Sequence, residues 1–418
     1  MAFISIGLLK RKRRMIMKSM KNTMKCLVAV FIMAMTFAVT GITAEAAVTN
    51  MKQTDDSTTS IDMQFVTVSS HRYYGIRLYA DAACTSLVKQ DYTTTGQAVG
   101  LTEEFWISGL TAGRTYYAKI GYGDSYSTCY NDMSGAIEVV TAPTNMQAAW
   151  VNSNDTQVGL QVYAPGANWY AIYGSGDTYI GRTNILSNTA PVTLAVPATA
   201  AAAYYYVYPC RSTSTGSYTA VGYSDSVYAE PLTTKIPKKN FGLSYVSKSS
   251  KTMTVGASYY GSGYEVQVQN AGSSKYNKTG SSTSTYADVS YKANRYLKYR
   301  VRAYVDTDAG RVYGNWSDYR AFAAMSGKYT PKYKSVALKW SKVKGSGKIK
   351  IQVSTKKDTK YKKFKTLKGS AKSVTVNKYG KKNLGSRKWY YVRIVPQVKI
   401  GKKYVDSDYY LQQYFRTR

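Results

Sequence analysis

Few residues in this chain are of a type and spacing that could carry enzymatic chemistry. The chain contains one histidine, His71, which lies in a short polar turn between Ser69 and Arg72. With a single base of this kind, a Ser/His/Asp or Cys/His catalytic arrangement is not expected. The adjacent acids Glu103 and Glu104 would face opposite sides of a strand, so they do not predict the carboxylate pair of a glycosidase.

Two short motifs resemble ligand-binding loops but lack essential members. Asp306, Asp308 and Gly310 match the start of a calcium-binding loop, but the twelfth position, which needs a bidentate acid, is Ser317. The run Gly345–Lys348 lacks the upstream glycine and the following Ser or Thr of a phosphate-binding loop. We therefore predict a non-enzymatic protein with no catalytic residue, no metal and no cofactor, and we interpret the Asp306 motif as a turn.

Positive charge is concentrated toward the C-terminus. The net charge of the chain is +34 at pH 7, but residues 47–325 hold 22 Lys and Arg against 19 Asp and Glu, a net of +3. Residues 326–418 hold 27 Lys and Arg against three Asp, a net of +24, and 23 of these cations are Lys. A surface with one dominant sign of charge repels itself and attracts polyanions with a strong salt dependence.

Lysines of this basic segment alternate with apolar residues, as in Lys348-Ile349-Lys350-Ile351. On a strand this spacing places the lysines on the outer face, where we expect a carpet of lysine side chains. Lysine is a point charge on a flexible stem, which suits diffuse contacts with a polymer. The candidate polyanion-binding residues are Lys348, Lys350, Lys356, Lys357, Lys362, Lys363, Lys365, Lys381, Lys382, Lys402 and Lys403. The alternative is a solvated sheet whose lysines only prevent edge-to-edge aggregation.

Tyrosine is the second unusual feature of the composition, since the chain contains 42. Exposed tyrosines on a sheet can stack on sugar rings or form a partner interface. The runs Tyr204–Tyr208 and Tyr259-Tyr260 are candidates for such an aromatic face. The alternative is that tyrosines pair across strands and stabilise a solvated sheet face.

The elements that position these residues follow an internal repeat. In each quarter of the mature chain a strand rich in Tyr and Val precedes a serine, and these serines are Ser134, Ser224, Ser317 and Ser407. Successive serines are 90, 93 and 90 residues apart. A fixed period of this size indicates a tandem array of like units, each close in length to one immunoglobulin-like sandwich.

Each repeat contains short strands with period-2 alternation, separated by clusters of Gly, Ser, Asn and Thr. This pattern is typical of antiparallel sheets with one buried face, and no segment after residue 47 has the sustained period of a helix. Joints that contain Pro or Gly divide the array. We predict an all-β chain of four modules: module 1 (48–141), module 2 (142–235), module 3 (236–325) and the strongly basic module 4 (326–418).

The modules resemble fibronectin type III domains of the kind exported by Gram-positive bacteria. In module 4, Val336–Gly345 is similar to the B strand of that family with its tryptophan, Trp340, and Thr355–Phe364 is similar to its C–C′ region. In module 3, Tyr299–Tyr304 and Gly314–Ser317 resemble the F and G strands. The resemblance extends over residues 48–418 and implies a tandem array of β-sandwiches.

Module 1 also carries Leu110, Gly113 and Tyr116 at the spacing of a tyrosine corner. The resemblance implies that the Tyr116 hydroxyl bonds to backbone across the turn between the E and F strands. In modules 2 and 3 the sequence places no clear corner tyrosine.

The first 47 residues have the three parts of a secretory signal peptide. Lys10–Lys25 is basic, Cys26–Ile42 is an uncharged, mostly apolar run of 17 residues, and Ala44-Glu45-Ala46 offers a cleavage site. The alternative, an N-terminal membrane anchor, needs about 20 apolar residues. We predict export and cleavage, with no transmembrane segment in the mature chain.

Three cysteines, Cys84, Cys129 and Cys210, remain after the predicted cleavage, so at least one has no partner within the chain. Cys84 and Cys129 lie in the same module and could form a disulfide. Three free thiols are the alternative.

Together these features predict a secreted, non-enzymatic protein that charge retains at the cell surface. We expect modules 1–3 to be spacer or presentation units and module 4 to associate with an anionic cell-wall polymer or acidic glycan. The alternative is an adhesin or carbohydrate-binding protein that uses exposed aromatic faces. Other surface proteins are further candidate partners, whereas nucleic acid is not expected, because export removes most opportunity to meet it.

Overall fold

The structure is a computed structural model that describes residues 48–184, 190–271 and 273–418. The predicted signal peptide, residues 1–47, lies outside the described residues. Regular structure in the described part is β-strand, apart from one 3-10 turn at Lys238–Asn240. In that part no helix has the length and apolar character needed to cross a bilayer. The all-β prediction is therefore confirmed.

The described chain forms two compact units. The first unit comprises residues 48–55, 60–108 and 115–139, and the second comprises 56–59, 109–114 and 140–418. The second unit holds the strands of modules 2, 3 and 4. The finer boundaries at residues 141, 235 and 325 stay predictions.

Module 1 contains one three-stranded and one five-stranded antiparallel sheet. Its strands are β1 (Val48–Asp56), β2 (Ser60–Thr67), β3 (Tyr73–Tyr79), β4 (Leu87–Thr94), β5 (Thr102–Ser108), β6 (Thr115–Gly123), β7 (Asp132–Met133) and β8 (Ile137–Val140). The order is β1-β2-β5 in the small sheet and β4-β3-β6-β7 in the large one, where β8 also pairs with β6. Alternate residues of β2, namely Ile61, Met63 and Phe65, are fully buried, as the period-2 pattern predicts.

Modules 2 and 3 repeat this arrangement. Module 2 has β9 (Gln147–Ser153), β10 (Gln157–Tyr163), β11 (Trp169–Gly174), β12 (Thr178–Asn184), β13 (Val192–Pro197), β14 (Ala203–Ser212), β15 (Thr219–Val221) and β16 (Asp225–Ala229). Module 3 has β17 (Phe241–Ser247), β18 (Thr252–Ala257), β19 (Gly263–Asn270), β20 (Asn277–Ser282), β21 (Tyr286–Ser290), β22 (Tyr296–Thr307), β23 (Gly310–Tyr313) and β24 (Arg320–Ala323). The small sheets are β13-β10-β9 and β17-β18-β21, and the large ones are β12-β11-β14-β15 with β16 and β20-β19-β22-β23 with β24.

Module 4 follows the same plan and adds a short hairpin. Its strands are β25 (Gly327–Lys332), β26 (Ser335–Trp340), β27 (Lys348–Ser354), β28 (Lys362–Lys368), β29 (Ser373–Val376), β30 (Lys378–Tyr379), β31 (Lys382–Asn383), β32 (Trp389–Ile400), β33 (Lys403–Asp406) and β34 (Leu411–Arg416). The small sheet is β25-β26-β29, and the large sheet is β28-β27-β32-β33 with β34 beside β32. Strands β30 and β31 form the hairpin.

In each module the small sheet corresponds to strands A-B-E and the large sheet to strands C′-C-F-G of a fibronectin type III sandwich. In module 4 the B strand is β26, and it ends at the buried Trp340, as the resemblance implies. Ile349 and Ile351 of the C strand β27 point into the core and are fully buried. The fold is therefore a tandem array of four fibronectin-type-III-like sandwiches.

The recurring serine has a structural role in modules 1 and 3. The amide of Ile120 donates to the Ser134 hydroxyl at 3.0 Å, and the amide of Ser134 donates to the Ile120 carbonyl at 2.8 Å. The amide of Val301 donates to the Ser317 hydroxyl at 2.9 Å, and the amide of Ser317 donates to the Val301 carbonyl at 2.8 Å. The serine thus attaches the G strand to the F strand where regular pairing is interrupted.

In module 4 the same serine serves the junction with module 3. The amide of Ser407 donates to the carbonyl of Pro396 at 2.8 Å, but proline has no N–H to return. The Ser407 hydroxyl instead accepts the amide of Ala323 in module 3 at 2.9 Å. Beside it, Arg320 donates to both oxygens of Asp408, at 2.8 and 2.6 Å. Modules 3 and 4 are therefore joined by oriented, partly buried polar contacts.

Corner tyrosines occupy modules 2 and 4. The Tyr205 hydroxyl donates to the Pro197 carbonyl at 3.1 Å, and the Tyr390 hydroxyl accepts the amide of Gly385 at 2.9 Å. Tyr116, for which the sequence predicts this role, is buried at the start of β6. The sequence did not predict this role for Tyr205, because an alanine-rich turn precedes it where the family pattern has glycine.

Candidate polyanion-binding surface

The lysines of module 4 lie on its surface. Of the 23 lysines between residues 326 and 418, only Lys350 is partly covered by its neighbours. Lys350 lies on β27 and forms an ion pair with Asp406. Module 4 contains three Asp and no Glu, so most of the other lysines have no acid to pair with. The positive charge of module 4 is therefore exposed and largely uncompensated.

The eleven predicted lysines fall into separate groups. Lys356, Lys357, Lys362, Lys381 and Lys382 lie at one end of the sandwich, in and beside the β27–β28 and β29–β32 loops. Lys348, Lys402 and Lys403 lie at the opposite end, near the β32–β33 turn, and Lys363 and Lys365 lie on the edge strand β28. These residues share one module but do not form one continuous surface.

The first of these ends brings together four chain segments: the β25–β26 turn, the β27–β28 loop, the segment between β29 and β32, and the C-terminus. We term this end the cationic pole. It consists of 13 basic residues: Lys332, Lys334, Lys356, Lys357, Lys360, Lys362, Lys378, Lys381, Lys382, Arg387, Lys388, Arg416 and Arg418. The one acid in the same segments is Asp358, and Arg393 engages it at 2.9 Å. A multivalent anion would relieve the mutual repulsion of these charges.

Hydrogen bonds hold the four segments of the cationic pole together. The Tyr379 hydroxyl donates to the Lys360 carbonyl at 3.2 Å, which links the β29–β32 segment to the β27–β28 loop. The amide of Arg418 donates to the Lys332 carbonyl at 3.1 Å, which links the C-terminus to the β25–β26 turn. The Ser386 hydroxyl donates to the Arg418 carbonyl at 3.2 Å. The charges of the pole are thus carried on loops that are fixed to one another.

Local sequence signals explain why these loops present lysine outward. In the β27–β28 loop the buried Ser354 hydroxyl donates to the Thr359 carbonyl at 2.5 Å and accepts the amide of Lys356 at 3.0 Å. Asp358 has a φ of 60°, a left-handed conformation that Asp tolerates. Gly380 has a φ of 63° and forms the turn of the β30–β31 hairpin. Because Ser354 fills the interior position, the lysines of this loop remain at the surface.

The outer face of the large sheet differs from the predicted carpet of lysine side chains. The alternation in β27 is as expected, but Lys350 is neutralised by its ion pair and the Lys348 ammonium lies 4.2 Å from the centre of the Tyr404 ring. Arg393 lies 3.9 Å from the centre of the Tyr361 ring. Burial raises the pKa of Tyr361, and the charge of Arg393 opposes this shift. Rings and an acid therefore interrupt the predicted lysine carpet on β27.

Module 3 carries cations on the same outer face, but they are enclosed by other side chains. The Arg302 guanidinium donates to the Glu265 carboxylate at 3.0 and 2.8 Å, and Glu265 is only 1% exposed. The Trp316 ring lies between Arg300 and Arg302, with centroid distances of 4.7 and 4.5 Å. Tyr313 covers Arg302 at 3.7 Å. The sequence analysis missed this arginine–aromatic ladder, although the alternation of Arg300 and Arg302 on one strand was visible.

Six tyrosines of module 2 lie close together on the outer face of its large sheet. They are Tyr173, Tyr179, Tyr204, Tyr206, Tyr208 and Tyr228, and we term them the tyrosine face. Tyr173 contacts Tyr179 and Tyr208 at ring centroid distances of 5.4 Å, and Tyr204 contacts Tyr228 at 5.0 Å. These cross-strand pairs are the alternative that the sequence left open, yet Tyr179 and Tyr204 remain about half exposed.

Other predicted aromatic residues have structural positions. Tyr205, inside the run Tyr204–Tyr208, is a core residue that is 1% exposed. Tyr259 packs against the core that modules 2 and 3 share. The amide of Tyr260 donates to the Thr233 hydroxyl at 2.7 Å, so its backbone belongs to the junction between the two modules, while its side chain is 54% exposed.

The single histidine lies in a local polar cluster that the sequence analysis did not predict. The Ser69 hydroxyl contacts Nδ1 of His71, and Nε2 of His71 lies 3.5 Å from the Asp124 carboxylate. Asp124 is 92% exposed and Ser69 is two residues from His71, so this is a solvated turn in which water competes for every contact. Glu103 and Glu104 are neighbours on β5 and face opposite ways. Within the described residues no cluster of His, Cys, Asp or Glu is arranged to hold a metal ion.

The Asp306 motif forms the turn between β22 and β23, as predicted. Gly310 has a φ of 114°, and Arg311 bonds to the Asp306 carboxylate at 2.6 Å, which lowers the pKa of that acid. Asp308 accepts the amide of Trp150 in module 2 at 2.6 Å and returns its own amide to the Trp150 carbonyl at 2.9 Å. The motif therefore joins two modules.

The three described cysteines are free thiols. The disulfide between Cys84 and Cys129 that the sequence left open is absent from the structure: Cys84 is partly exposed in the β3–β4 turn, whereas Cys129 is buried. Burial raises the pKa of the Cys210 thiol to about 11 and also raises that of Cys129. Both buried thiols are therefore protonated at neutral pH and are poor nucleophiles.

Comparison with known proteins shows similarity to solved structures. No family model and no curated protein matches this chain. Among solved structures, the chain is similar to the crystal structure of the chicken CNTN1 FN1–FN3 domains, with 12% sequence identity and a TM-score of 0.25. The similarity covers 66% of this chain and 99% of the chicken chain.

The strand order and the sites together define a class of protein. Four sandwiches have the A-B-E and C′-C-F-G sheets of fibronectin type III domains. A fold does not fix a function, so the chemistry of a particular array depends on its surface. In this chain the distinguishing surface is the cationic pole.

Proposed function

We propose that this chain is a secreted, non-enzymatic surface protein whose module 4 binds an anionic polymer of the cell envelope. The observation that carries the proposal is the cationic pole, where 13 basic side chains share their segments with one acid. A basic segment, an apolar run and a small-residue cleavage site at the N-terminus support export. Charge then retains the protein at the surface after cleavage.

The distribution of charge along the array supports attachment through one end. Residues 48–235 hold nine Lys and Arg against 14 Asp and Glu, a net of −5. Residues 236–325 hold 13 against five, a net of +8, and residues 326–418 have a net of +24. Because an anionic surface repels the first two modules and attracts the last, module 4 is the part that binds and modules 1–3 are spacer or presentation units.

The junctions of modules 2, 3 and 4 suit a spacer. Trp150 and Asp308 exchange two hydrogen bonds between modules 2 and 3, and Arg320 bonds to Asp408 between modules 3 and 4. Oriented polar contacts of this kind restrict bending at a joint, because bending would strip partly buried groups of their partners.

The test uses the mature chain, purified cell walls and a titration of salt. One variant changes exposed lysines of the pole to glutamine: Lys356, Lys357, Lys360, Lys378, Lys381 and Lys382. The matched control changes exposed lysines that are neither in the pole nor among the predicted binding residues: Lys328, Lys339, Lys342, Lys368, Lys372 and Lys399. A lysine near an anionic surface contributes on the order of 1 kcal/mol, so we expect the pole variant to bind walls at least tenfold more weakly and the control less than threefold.

Two outcomes would contradict this proposal. Equal losses in the two variants would show that net charge alone matters and that the pole is not the binding surface. Undiminished binding to walls stripped of their anionic polymers would remove the proposed ligand. The native chain should also lose affinity steeply as salt rises from 50 to 200 mM.

The tyrosine face of module 2 favours a second function, glycan binding by an adhesin. Its half-exposed Tyr179, Tyr204 and Tyr228 offer apolar ring surface on which sugars can stack. On a glycan array, binding that survives the pole substitutions but is lost in Tyr204→Ala/Tyr228→Ala would support this function. Binding that follows the pole lysines would exclude it.

A further inference from the structure

A group of aromatic rings lies beside the cationic pole. Trp389 begins β32 and Tyr391 follows two residues later, so both side chains lie on the outer face of the large sheet. The pairing of β32 with β34 places Tyr414 opposite Tyr391 and Arg416 opposite Trp389. We term Trp389, Tyr391 and Tyr414 the aromatic platform.

The aromatic platform is exposed although its rings touch one another. Trp389 is 55% exposed and Tyr414 is 61% exposed. The Tyr414 ring centroid lies 5.7 Å from that of Trp389 and 6.3 Å from that of Tyr391, and both ring pairs are tilted by 38°. Three contiguous aromatic rings, two of them more than half exposed, offer stacking surface to a flat, partly apolar ligand.

The Arg416 side chain and the backbone of the loop before β32 are held in place beside the platform. Arg416 Nε donates to the Arg387 carbonyl at 3.0 Å. The amide of Lys388 donates to the buried Thr417 hydroxyl at 3.1 Å, and the amide of Thr417 donates to the Lys388 carbonyl at 3.0 Å. These bonds fix the loop before β32 against the strand β34, so rings and cations form one preorganised surface.

We propose that this surface binds an acidic polysaccharide, with sugar rings stacked on Trp389 and Tyr414 and a sugar carboxylate facing Arg416. The proposal rests on the proposed function and names the polymer class: carboxylate-bearing sugars rather than a polyphosphate chain. Three of the four arginines of module 4, Arg387, Arg416 and Arg418, belong to the pole. Their planar guanidinium groups match carboxylate and phosphate alike, so the aromatic rings distinguish the two polymer classes. Sugar rings can stack on Trp389 and Tyr414, whereas a polyphosphate chain has no ring to stack.

Two other occupants of the platform are disfavoured by the charge and position of the site. A second copy of the same face would bring two cationic poles together, and their repulsion opposes such a dimer. Single-stranded nucleic acid also stacks on aromatic rings, but it uses a groove that follows its backbone, whereas the platform lies on an open sheet face. Export also separates the protein from most nucleic acid.

The experiment compares three polyanions of matched charge concentration on the full mature chain: polygalacturonate, inorganic polyphosphate and oligo-dT. The test variant is Trp389→Ala/Tyr414→Ala, and the control is Tyr223→Ala, which removes an 88% exposed ring from module 2. We expect the test variant to bind polygalacturonate about tenfold more weakly while its affinity for polyphosphate is unchanged. The control should match the native chain with every probe, and Trp389→Phe should retain most of the polygalacturonate affinity.

The possible outcomes separate this inference from the function on which it rests. If the native chain binds polyphosphate as tightly as polygalacturonate and the platform variant changes neither, the sugar-specific site is refuted while polyanion binding stands. If the platform variant loses oligo-dT instead, the occupant is nucleic acid and the inference is wrong. If the pole lysine variant keeps all polyanion binding, the proposed function itself fails. An unchanged melting temperature of each variant shows that a loss of affinity is not a loss of fold.

Discussion

Modules 3 and 4 have the same fold, and each carries cations on the outer face of its large sheet. In module 3 the cations of β22 are Arg300 and Arg302, and Trp316, Tyr313 and the buried Glu265 surround them. In module 4 most cations are lysines, distributed over strands and loops, and all but one lysine are exposed. The net charge of a module therefore does not reveal its role; the neighbours of each cation do.

The two types of cation suit these two uses. A guanidinium is planar and weakly hydrated, so it can stack between rings and bond a carboxylate through two N–H groups at once. An ammonium is strongly hydrated, so it remains in water until a ligand brings a compensating charge. Module 3 uses its arginines to stabilise its own sheet, whereas module 4 leaves its lysines exposed to water.

The largest expected effect that tests this comparison is the loss of Arg302. Arg302→Ala leaves Glu265 buried without its guanidinium, and breaking a buried pair in this way costs about 3–5 kcal/mol. Chemical denaturation of the mature chain should therefore show a large destabilisation of the transition that contains module 3. Arg300→Ala is the matched control, because its guanidinium bonds the neutral Gln267 at 2.6 Å and leaves no buried charge behind. Equal effects of the two substitutions would contradict a structural role for the Glu265 pair.

A pair of tryptophan substitutions, one in each module, should change the free energy of unfolding by intermediate amounts. Trp316→Ala removes a half-buried ring that separates two guanidinium groups, and we expect a cost of about 2 kcal/mol from lost packing and cation–π contacts. Trp389→Ala removes a ring that is 55% exposed, and we expect less than about 1 kcal/mol. Thermal unfolding of both variants measures the difference. A larger loss for Trp389 would mean that the aromatic platform supports the fold, which would weaken its assignment as a binding surface.

The architecture could be predicted because residues that are buried in a strand alternate with exposed ones, and this alternation is visible in a short stretch of sequence. The alternation of Val336, Leu338 and Trp340 identifies a strand without reference to any other part of the chain, and the structure confirms it as β26. The repeat of about 90 residues adds the number of modules. The hydrogen bond of Tyr205 to the Pro197 carbonyl could not be predicted in this way, because it depends on a turn whose alanine-rich sequence does not match the family pattern.

The site could be predicted only in part, because it is assembled from segments far apart in sequence. Composition identified module 4 as the cationic module, but the pole joins Lys332 to Arg418 through a backbone hydrogen bond across the whole module. Lys350 was predicted as a ligand contact, yet its pairing with Asp406, 56 residues further on, depends on how β33 meets the sheet. Periodicity shows which face a side chain lies on, but it does not show which neighbour it will meet there.

The smallest expected effect concerns the stability of module 4 itself. Here we expect the substitutions to stabilise the module, whereas the substitutions above destabilise the protein. The six pole substitutions of lysine by glutamine remove like-charge repulsion, so the melting transition of module 4 should rise by about 2–5 °C at low ionic strength. At about 0.5 M salt the Debye length falls below about 5 Å, and this gain should disappear. Arg302→Ala, in contrast, should destabilise module 3 at both salt concentrations, because salt does not screen a buried pair effectively. If removal of the pole charges destabilised module 4 at low salt, the lysines would be part of its structure, and the distinction between cations that stabilise the fold and cations free for a ligand would fail.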